Sequence, residues 1–405
     1  VEKILKKLEN KSYSFSRISK VVNEIDKISL SREFEFINAE VIESKLAGNK
    51  LDITFKIKES EKFYVERINI FGNNITQESV IRNQFVLDEG DPYNEILRDK
   101  SINNMKNLNF FKTVTSTIKE GTSENQKIID ISVEEKPTGE ITAGAGVGTS
   151  GNTLGFGVRE NNFLGRGIGL NSNIEFSTES IKGRFNVNNP NFLNSDKSVY
   201  TSIEAQEIDK LTDYGYKTNK TGFLFGTNFE YLDDFRVGIG TSNFYEKIET
   251  DASASRNMRR QEGDYWDSFA NFSFDLDKRN QKFQTTDGYR SLYYLNVPFV
   301  SDTNTLKNTY NYKYFAELYE ENITTFSVYL SAANSLSNDN VKLSERLNVP
   351  SDKLRGFEFG KVGPKDGADF IGGNYVSTLN LSSTLPNFLE NAQNTDFLFF
   401  IDAAN

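Results

Sequence analysis

Two residue types that many catalytic sites depend on, Cys and His, are missing from this chain. Its 405 residues include no Cys and no His. Disulfide bonds, thiol nucleophiles, Ser-His-Asp and Cys-His catalysis, and nearly all zinc chemistry are therefore excluded. The acidic run "EEN" at 320–322 is interpreted as a solvated loop, not as a calcium site or an acid/base pair. We predict no enzymatic activity, no cofactor and no metal.

The segment that stands out chemically is "DKLRGFEFGKVGPKDGADFIGGN" at 352–374, which is rich in both charge and glycine. It lies between two predicted strands, and loops longer than about 12–15 residues usually have a function. Taken alone, Arg355 is interpreted as a solvated loop arginine without fixed contacts. What this segment does depends on the elements that position it.

Charge and hydropathy limit the possible partners. The net charge of −10 argues against nucleic acid as the main partner. Runs of 18 or more apolar residues are absent, so a transmembrane helix is not predicted. The 33 Phe and 18 Tyr residues, against one Trp, indicate strands with one apolar face.

Residues 1–136 mix helical and strand periods. "FSRISKVVNEIDKI" at 15–28 has helical spacing, and "LDITFKIKES" at 51–60 alternates as a strand does. The order strand, helix, helix, strand, strand is complete within 61–136, where Thr76 is the expected cap of the first helix. A copy without its first strand occupies 1–60. The alternative is a single irregular α+β domain.

After Pro137 the helical period disappears and thirteen segments of strand character follow. Several of them alternate clearly, as in "TTFSVYLSAAN" at 324–334. An apolar face, a polar face and aromatic residues near strand ends are typical of a transmembrane β-barrel over 137–405. A soluble β-sandwich or a propeller is the alternative. Because bacterial barrels close with an even number of strands, we expect a barrel that is incomplete at its C-terminus and a first module that is incomplete at its N-terminus.

The sequence resembles the BamA family of outer-membrane β-barrel assembly factors. The resemblance rests on "FYVERINIFGNNITQESVIRNQF", "EEKPTG", "FLGRG", "NVNNPNF" and "LRGFEFGKVGP", in the order that the family has. It implies POTRA modules (β-α-α-β-β) followed by a transmembrane antiparallel β-barrel, with about 13 of 16 strands present. Residues 1–60 would be part of the fourth module, 61–136 the complete fifth module, and 137–405 the barrel.

The resemblance also implies a role for the long loop. Leu354, Arg355, Gly356 and Phe357 match the family's RGF signature, carried on a loop that folds back into the barrel lumen. Its arginine pairs there with acids of the inner wall, and strict alternation along 397–403 places Asp402 inward. Ser382 is expected at the position where the family often has a second acid. Four glycines would let the loop turn tightly: Gly356, Gly360, Gly363 and Gly367.

The function implied is folding and insertion of outer-membrane proteins without ATP, in the bacterial outer membrane with the POTRA modules in the periplasm. The first barrel strand would be the working part, because glycines weaken strand pairing. Those glycines are Gly139, Gly144, Gly146 and Gly148; they could also merely fit a tight wall or a kink. The implied partners are unfolded outer-membrane proteins, accessory lipoproteins (BamD-like), periplasmic chaperones and outer-membrane lipid. The alternatives are a related POTRA-barrel secretion pore of the two-partner or TamA-like type, and an outer-membrane enzyme.

Overall fold

The computed structural model describes most of the chain in segments. They are residue 21 and residues 37–46, 50–59, 63–148, 151–211, 215–280, 285–318, 322–337, 340–358, 360–367, 369–385 and 397–405. The described residues form two compact units, 1–138 with 164–166, and 139–163 with 167–405. Each unit is described by itself below.

Two of the described strands in the first unit form a hairpin. Strand β1 (Ile37–Leu46) pairs antiparallel with β2 (Lys50–Glu59). The helix expected at 15–28 lies outside the described residues except for Val21, which is helical and buried. The assignment of 1–60 to a partial module therefore stays a prediction.

A complete small α+β module follows in the first unit. Its elements are β3 (Tyr64–Phe71), α1 (Glu78–Arg82), α2 (Glu95–Asn107), β4 (Phe111–Glu120) and β5 (Gln126–Glu135). The sheet order is β3-β5-β4, with β3 parallel and β4 antiparallel to β5. The helices cover this sheet, and Ile81, Met105 and Ile131 are completely buried between them. The predicted order strand, helix, helix, strand, strand is confirmed.

The turn before α1 is held by a carboxylate and not by a helix cap. Glu135 accepts hydrogen bonds from the backbone N–H groups of Asn74 and Ile75, at 2.9 Å each, and of Thr76 at 2.6 Å. The cap expected at Thr76 is wrong, because α1 begins one residue later, with Gln77 as its N-cap. The pKa of Glu135 is below its ordinary value. Burial alone would raise the pKa, but the hydrogen bonds from the Thr76 side chain and from these N–H groups lower it by more.

The second unit is built on one antiparallel sheet of 13 strands. In chain order they are β6 (Gly139–Gly148), β7 (Gly151–Phe163), β8 (Ile168–Ser177), β9 (Ser180–Asn189), β10 (Ser198–Lys210), β11 (Tyr216–Leu232), β12 (Phe235–Thr250), β13 (Gly263–Asp277), β14 (Gly288–Ser301), β15 (Thr305–Ala316), β16 (Thr324–Ser335), β19 (Tyr375–Leu385) and β20 (Phe397–Ala404). The short strands β17 (Lys365–Asp366) and β18 (Asp369–Phe370) form a separate hairpin in the loop between β16 and β19. Each of the thirteen predicted segments overlaps one strand of the large sheet. The described strands β6 and β20 are the edges of this sheet.

The two faces of the large sheet differ in polarity. Large apolar side chains at alternate positions are exposed on one face, among them Phe156, Phe185, Phe225, Phe326, Leu381 and Ile401. The other face carries polar and charged residues such as Glu246, Asp267 and Asp402. An exposed apolar face of this extent is suited to lipid, and the opposite face to a polar lumen. Within the described residues, no helix is both long and apolar enough to cross a bilayer.

Candidate functional site on the polar face of the sheet

The loop between β16 and β19 brings Arg355 onto the polar face of the terminal strand β20. Arg355 Nε lies 2.7 Å from Asp402 Oδ2, and Nη2 lies 2.6 Å from Oδ1. The backbone N–H of Arg355 donates to the same carboxylate at 3.1 Å. A bidentate pair of this geometry combines two charge-assisted hydrogen bonds with a fixed orientation. The structure therefore joins the loop arginine to the inward acid that strand alternation identified.

The Asp402 carboxylate is almost fully removed from solvent. Its side chain is 3% exposed, whereas that of Arg355 is 31% exposed. The guanidinium also lies over the ring of Phe400, 3.8 Å from the ring centroid. Phe400 precedes Asp402 by two positions and so shares its face of the strand. The arginine is therefore held by charge on one side and by an aromatic face below it.

Asn380 is a third member of this site that the sequence did not reveal. It is paired directly opposite Asp402 in the β19–β20 ladder, and its Nδ2 donates to Asp402 Oδ1 at 2.9 Å. The same amide donates to the carbonyl oxygen of Lys353 at 2.6 Å, so it links the wall to the loop backbone. The position expected for a second acid was Ser382, but Ser382 is opposite Phe400. Asn380 is therefore the residue beside the acid. Ser382 lies on the same face of β19, two positions further along the strand.

The RGF segment forms a turn next to this pair. Gly356 has φ of +84°, a conformation that L side chains rarely adopt. Leu354 is half-buried and Phe357 is exposed. Gly360, Gly363 and Gly367 also have positive φ. The glycines of the loop therefore serve its backbone path, which brings Arg355 to the wall.

The glycines of β6 are in a different environment, since none of them has positive φ. Gly144 is paired opposite Gly155, and Gly148 opposite Gly151, so two positions of the β6–β7 ladder have no side chain on either strand. No described atom lies within 4 Å of a Cβ built on Gly144, whereas Thr153 lies within 2.9 Å of one built on Gly146. There is therefore room for a side chain larger than that of glycine at position 144.

Metal binding finds no support in the described part of the chain. Among the described residues, no group of three or more acidic side chains is arranged to hold a metal ion. The acids Glu320 and Glu321 of the "EEN" run lie outside the described residues.

Comparison with protein families gives two matches. The model described as "Omp85 superfamily domain" matches residues 162–405. The POTRA model, described as "Surface antigen variable number repeat", matches residues 63–136. The first match alone covers more than half of the chain.

Curated relatives and solved structures agree with these families. The chain is 25% identical over 348 residues to "Outer membrane protein assembly factor BamA" of Neorickettsia risticii, covering 81% of this chain and 45% of that protein. It is 22% identical over 344 residues to the protein of the same name from Nitratidesulfovibrio vulgaris, covering 82% of this chain and 42% of that one. The chain thus spans less than half the length of these two relatives.

Two solved structures share the fold. The crystal structure of BamA from Haemophilus ducreyi lacking POTRA domains 1–3 matches with a TM-score of 0.66 at 20% identity, over 97% of this chain and 81% of that chain. CdiB from Acinetobacter baumannii matches with a TM-score of 0.55 at 12% identity, over 100% of this chain and 74% of that chain. At these identities the likeness shows the fold alone. The Omp85 model that covers 162–405 goes further: this chain belongs to the Omp85 superfamily, with a POTRA module preceding its barrel domain.

Proposed function

We propose that this chain is the barrel and membrane-proximal POTRA part of an outer-membrane β-barrel assembly factor. It folds and inserts outer-membrane proteins without ATP, in the bacterial outer membrane, with its POTRA modules in the periplasm. The proposal is supported by the names of the curated relatives and by one structural observation, the glycine-rich pairing of β6 with β7.

The β6 edge is the proposed working surface. Cross-strand side-chain pairs stabilise a sheet, and β6 lacks them where Gly144 meets Gly155 and Gly148 meets Gly151. Glycine in a strand also costs backbone entropy. A strand held this weakly can separate from the strand that closes the barrel, at a junction that we call the seam. Its free N–H and C=O groups can then template an incoming strand by β-augmentation.

The POTRA module offers a second edge for the same kind of pairing. In the sheet order β3-β5-β4, strand β4 is an edge among the described strands, and Thr113, Thr115 and Thr117 along it are exposed. An exposed edge strand is normally a liability for aggregation. Here we propose that residues 113–119 pair with unfolded outer-membrane proteins or with an accessory lipoprotein of the BamD-like kind. A photo-crosslinker at Thr117 should capture such a partner, and one at the exposed hairpin residue Glu124 should not.

The Arg355–Asp402 pair is proposed to hold the tip of the loop against the luminal face of β20. It connects a loop to β20, which is an edge of the described sheet. Other partners follow from the proposed location: periplasmic chaperones that deliver substrate, and outer-membrane lipid against the apolar face. We propose no enzymatic step and no cofactor.

A related POTRA-barrel secretion pore is the alternative function. Such a pore would pass its substrate through the lumen and leave it outside the membrane, whereas an assembly factor leaves it inserted. The complete protein, with its accessory lipoproteins in liposomes without ATP, should convert a urea-denatured outer-membrane barrel to its folded, heat-modifiable form faster than empty liposomes do. Equal folding rates would refute the proposal, and a protease-protected, uninserted substrate inside the vesicles would favour the pore.

A further inference from the structure

A second charged contact binds the same loop to the polar face of the sheet, far along the sheet from β20. Lys342 Nζ lies 2.7 Å from Glu246 Oε2 on β12 and 2.7 Å from Asp267 Oδ2 on β13. The side chains of all three residues are at most 4% exposed. An ammonium group between two carboxylates satisfies charges that would be costly to bury alone.

Neighbouring side chains complete the polar contacts of this cluster. Ser344 donates to Glu246 at 2.9 Å, and Thr303 donates to Asp267 at 2.8 Å. The Lys342 ammonium also lies 4.7 Å from the centroid of the Tyr265 ring. These contacts place both acids and their lysine in one network, with at least two polar contacts for each carboxylate.

The backbone of the loop is fixed at the same place. Leu343 N–H donates to the Gln261 side chain at 2.8 Å, and Leu347 exchanges two 2.8 Å backbone hydrogen bonds with Gly373. Leu343 packs against the apolar cluster that includes Ile248 and Met258. Residues 341–347, which we call the root of the loop, are therefore attached to β12, to β13 and to the turn between them by charge, by the Leu343 N–H and by apolar contact. Leu347 joins the root to Gly373 at the other end of the loop.

The two anchors differ in burial and in the strands they use. Glu246 and Asp267 belong to strands that are paired on both sides, β12 with β11 and β13, and β13 with β12 and β14. Asp402 belongs to β20, which pairs with β19 alone among the described strands. Arg355 is 31% exposed, whereas Lys342 is 3% exposed. A displacement of β20 would therefore strain the Arg355 contact and leave the Lys342 contact in place.

We propose that Lys342 is a second positioning residue, a permanent anchor that fixes the root of the loop, and that Arg355 is the anchor that can be released. When the Arg355 contact is released, the tip of the loop moves about the fixed root, and the root keeps the loop in the lumen. This inference rests on the proposed function for its purpose. The test of the hinge does not require assembly activity. A failure of the hinge inference can therefore be distinguished from a failure of the proposed function.

Hydrogen–deuterium exchange of the intact protein in lipid nanodiscs tests the hinge. In Arg355→Met, the amides of residues 353–357 should exchange at least about 10-fold faster, while those of 343–347 keep their protection. In Lys342→Met, the amides of 343–347 should lose protection by a similar factor. Lys361→Met, in the exposed part of the same loop, is the matched control and should change neither segment.

Lys342→Met leaves two buried carboxylates without a cation and could prevent folding. The triple variant Lys342→Met/Glu246→Gln/Asp267→Asn removes both charges with the lysine and keeps the folded, heat-modifiable barrel available for measurement. We expect it to fold and to lose protection at 343–347. Protection of residues 343–347 at the wild-type level in the triple variant would overturn the proposal. So would a loss of protection at 343–347 in Arg355→Met as large as the loss in the Lys342 variants.

Discussion

Arg355 and Asp402 form a bidentate ion pair, 2.7 Å from Nε to Oδ2 and 2.6 Å from Nη2 to Oδ1, between a loop and the terminal strand of the described sheet. The pair lies 47 positions apart in the chain, so it closes a long loop against the wall. The carboxylate is buried and depends on this arginine together with Asn380 for its hydrogen bonds. Removal of the arginine therefore leaves a buried charge, a change that costs more than the pair itself contributes.

Replacement of Arg355 by alanine should destabilise the barrel by about 2–3 kcal/mol. This lies below the 3–5 kcal/mol of a fully buried pair because the arginine is partly exposed. The midpoint temperature of heat-modifiability measures this change, and growth of a depletion strain complemented by the variant reports assembly. Lys361→Ala in the same loop is the control and should match the wild type. Unchanged heat-modifiability and unchanged growth for Arg355→Ala would remove the role assigned to it.

Asn380 should matter more than Ser382 to the stability of the loop anchor. Asn380→Ala removes three hydrogen bonds at a buried position, those donated to Asp402 and to the Lys353 carbonyl and the one accepted from the Thr378 hydroxyl, and should cost about 1–3 kcal/mol. Ser382→Ala changes the next inward position of β19 and should cost less than about 0.5 kcal/mol. Heat-modifiability of the two variants gives the comparison. If Ser382→Ala proved the more damaging change, the assignment of Asn380 would be wrong.

Alanine at Gly144 should stabilise β6 and slow assembly. Replacing glycine within a strand contributes about 0.5–1 kcal/mol, and no described atom blocks a Cβ at this position. Gly183→Ala is the matched control, because Gly183 lies in β9 and is paired on both sides. Both variants should gain similar stability, measured by heat-modifiability, but only Gly144→Ala should lower the rate of substrate folding in liposomes. Equal rates for the two variants would argue against a working role for β6.

The POTRA module should lose stability in acid through Glu135. Its pKa in the folded module is below its ordinary value, so its contribution is complete above the unfolded pKa of about 4.3 and is lost as the pH falls through the folded pKa. Glu135→Gln should cost about 1 kcal/mol at pH 7, and the difference from the wild type should shrink below about pH 4. Urea unfolding of residues 61–138, which have their own core, measures both effects. A pH-independent difference would show that the carboxylate charge is not what holds the turn at 74–76.

The sequence predicted the elements well because strand alternation has a period of two and extends over the whole second unit. The same parity identified Asp402 as inward. Parity could not separate Asn380 from Ser382, because both lie on one face and only the register of β19 against β20 decides which one meets Asp402.

Contacts made by loops were harder to predict. Lys342 pairs with Glu246, 96 positions earlier in the chain, and with Asp267, 75 positions earlier. No local sequence pattern predicts a contact over this distance. The cap expected at Thr76 failed for a similar reason, since a carboxylate from β5 holds that turn.

A reversible disulfide across the seam next to β6 shows whether the seam must open for substrate to fold. The 405 residues contain no Cys. One cysteine at Ala145 in β6 and one on the strand that closes the barrel, in a complete protein without other cysteines, form a single defined bond. Folding of a denatured outer-membrane barrel by this variant in liposomes is then measured before and after reduction. We expect folding to stop in the oxidised protein and to return to the wild-type rate on reduction. Folding at the wild-type rate with the disulfide intact would contradict it.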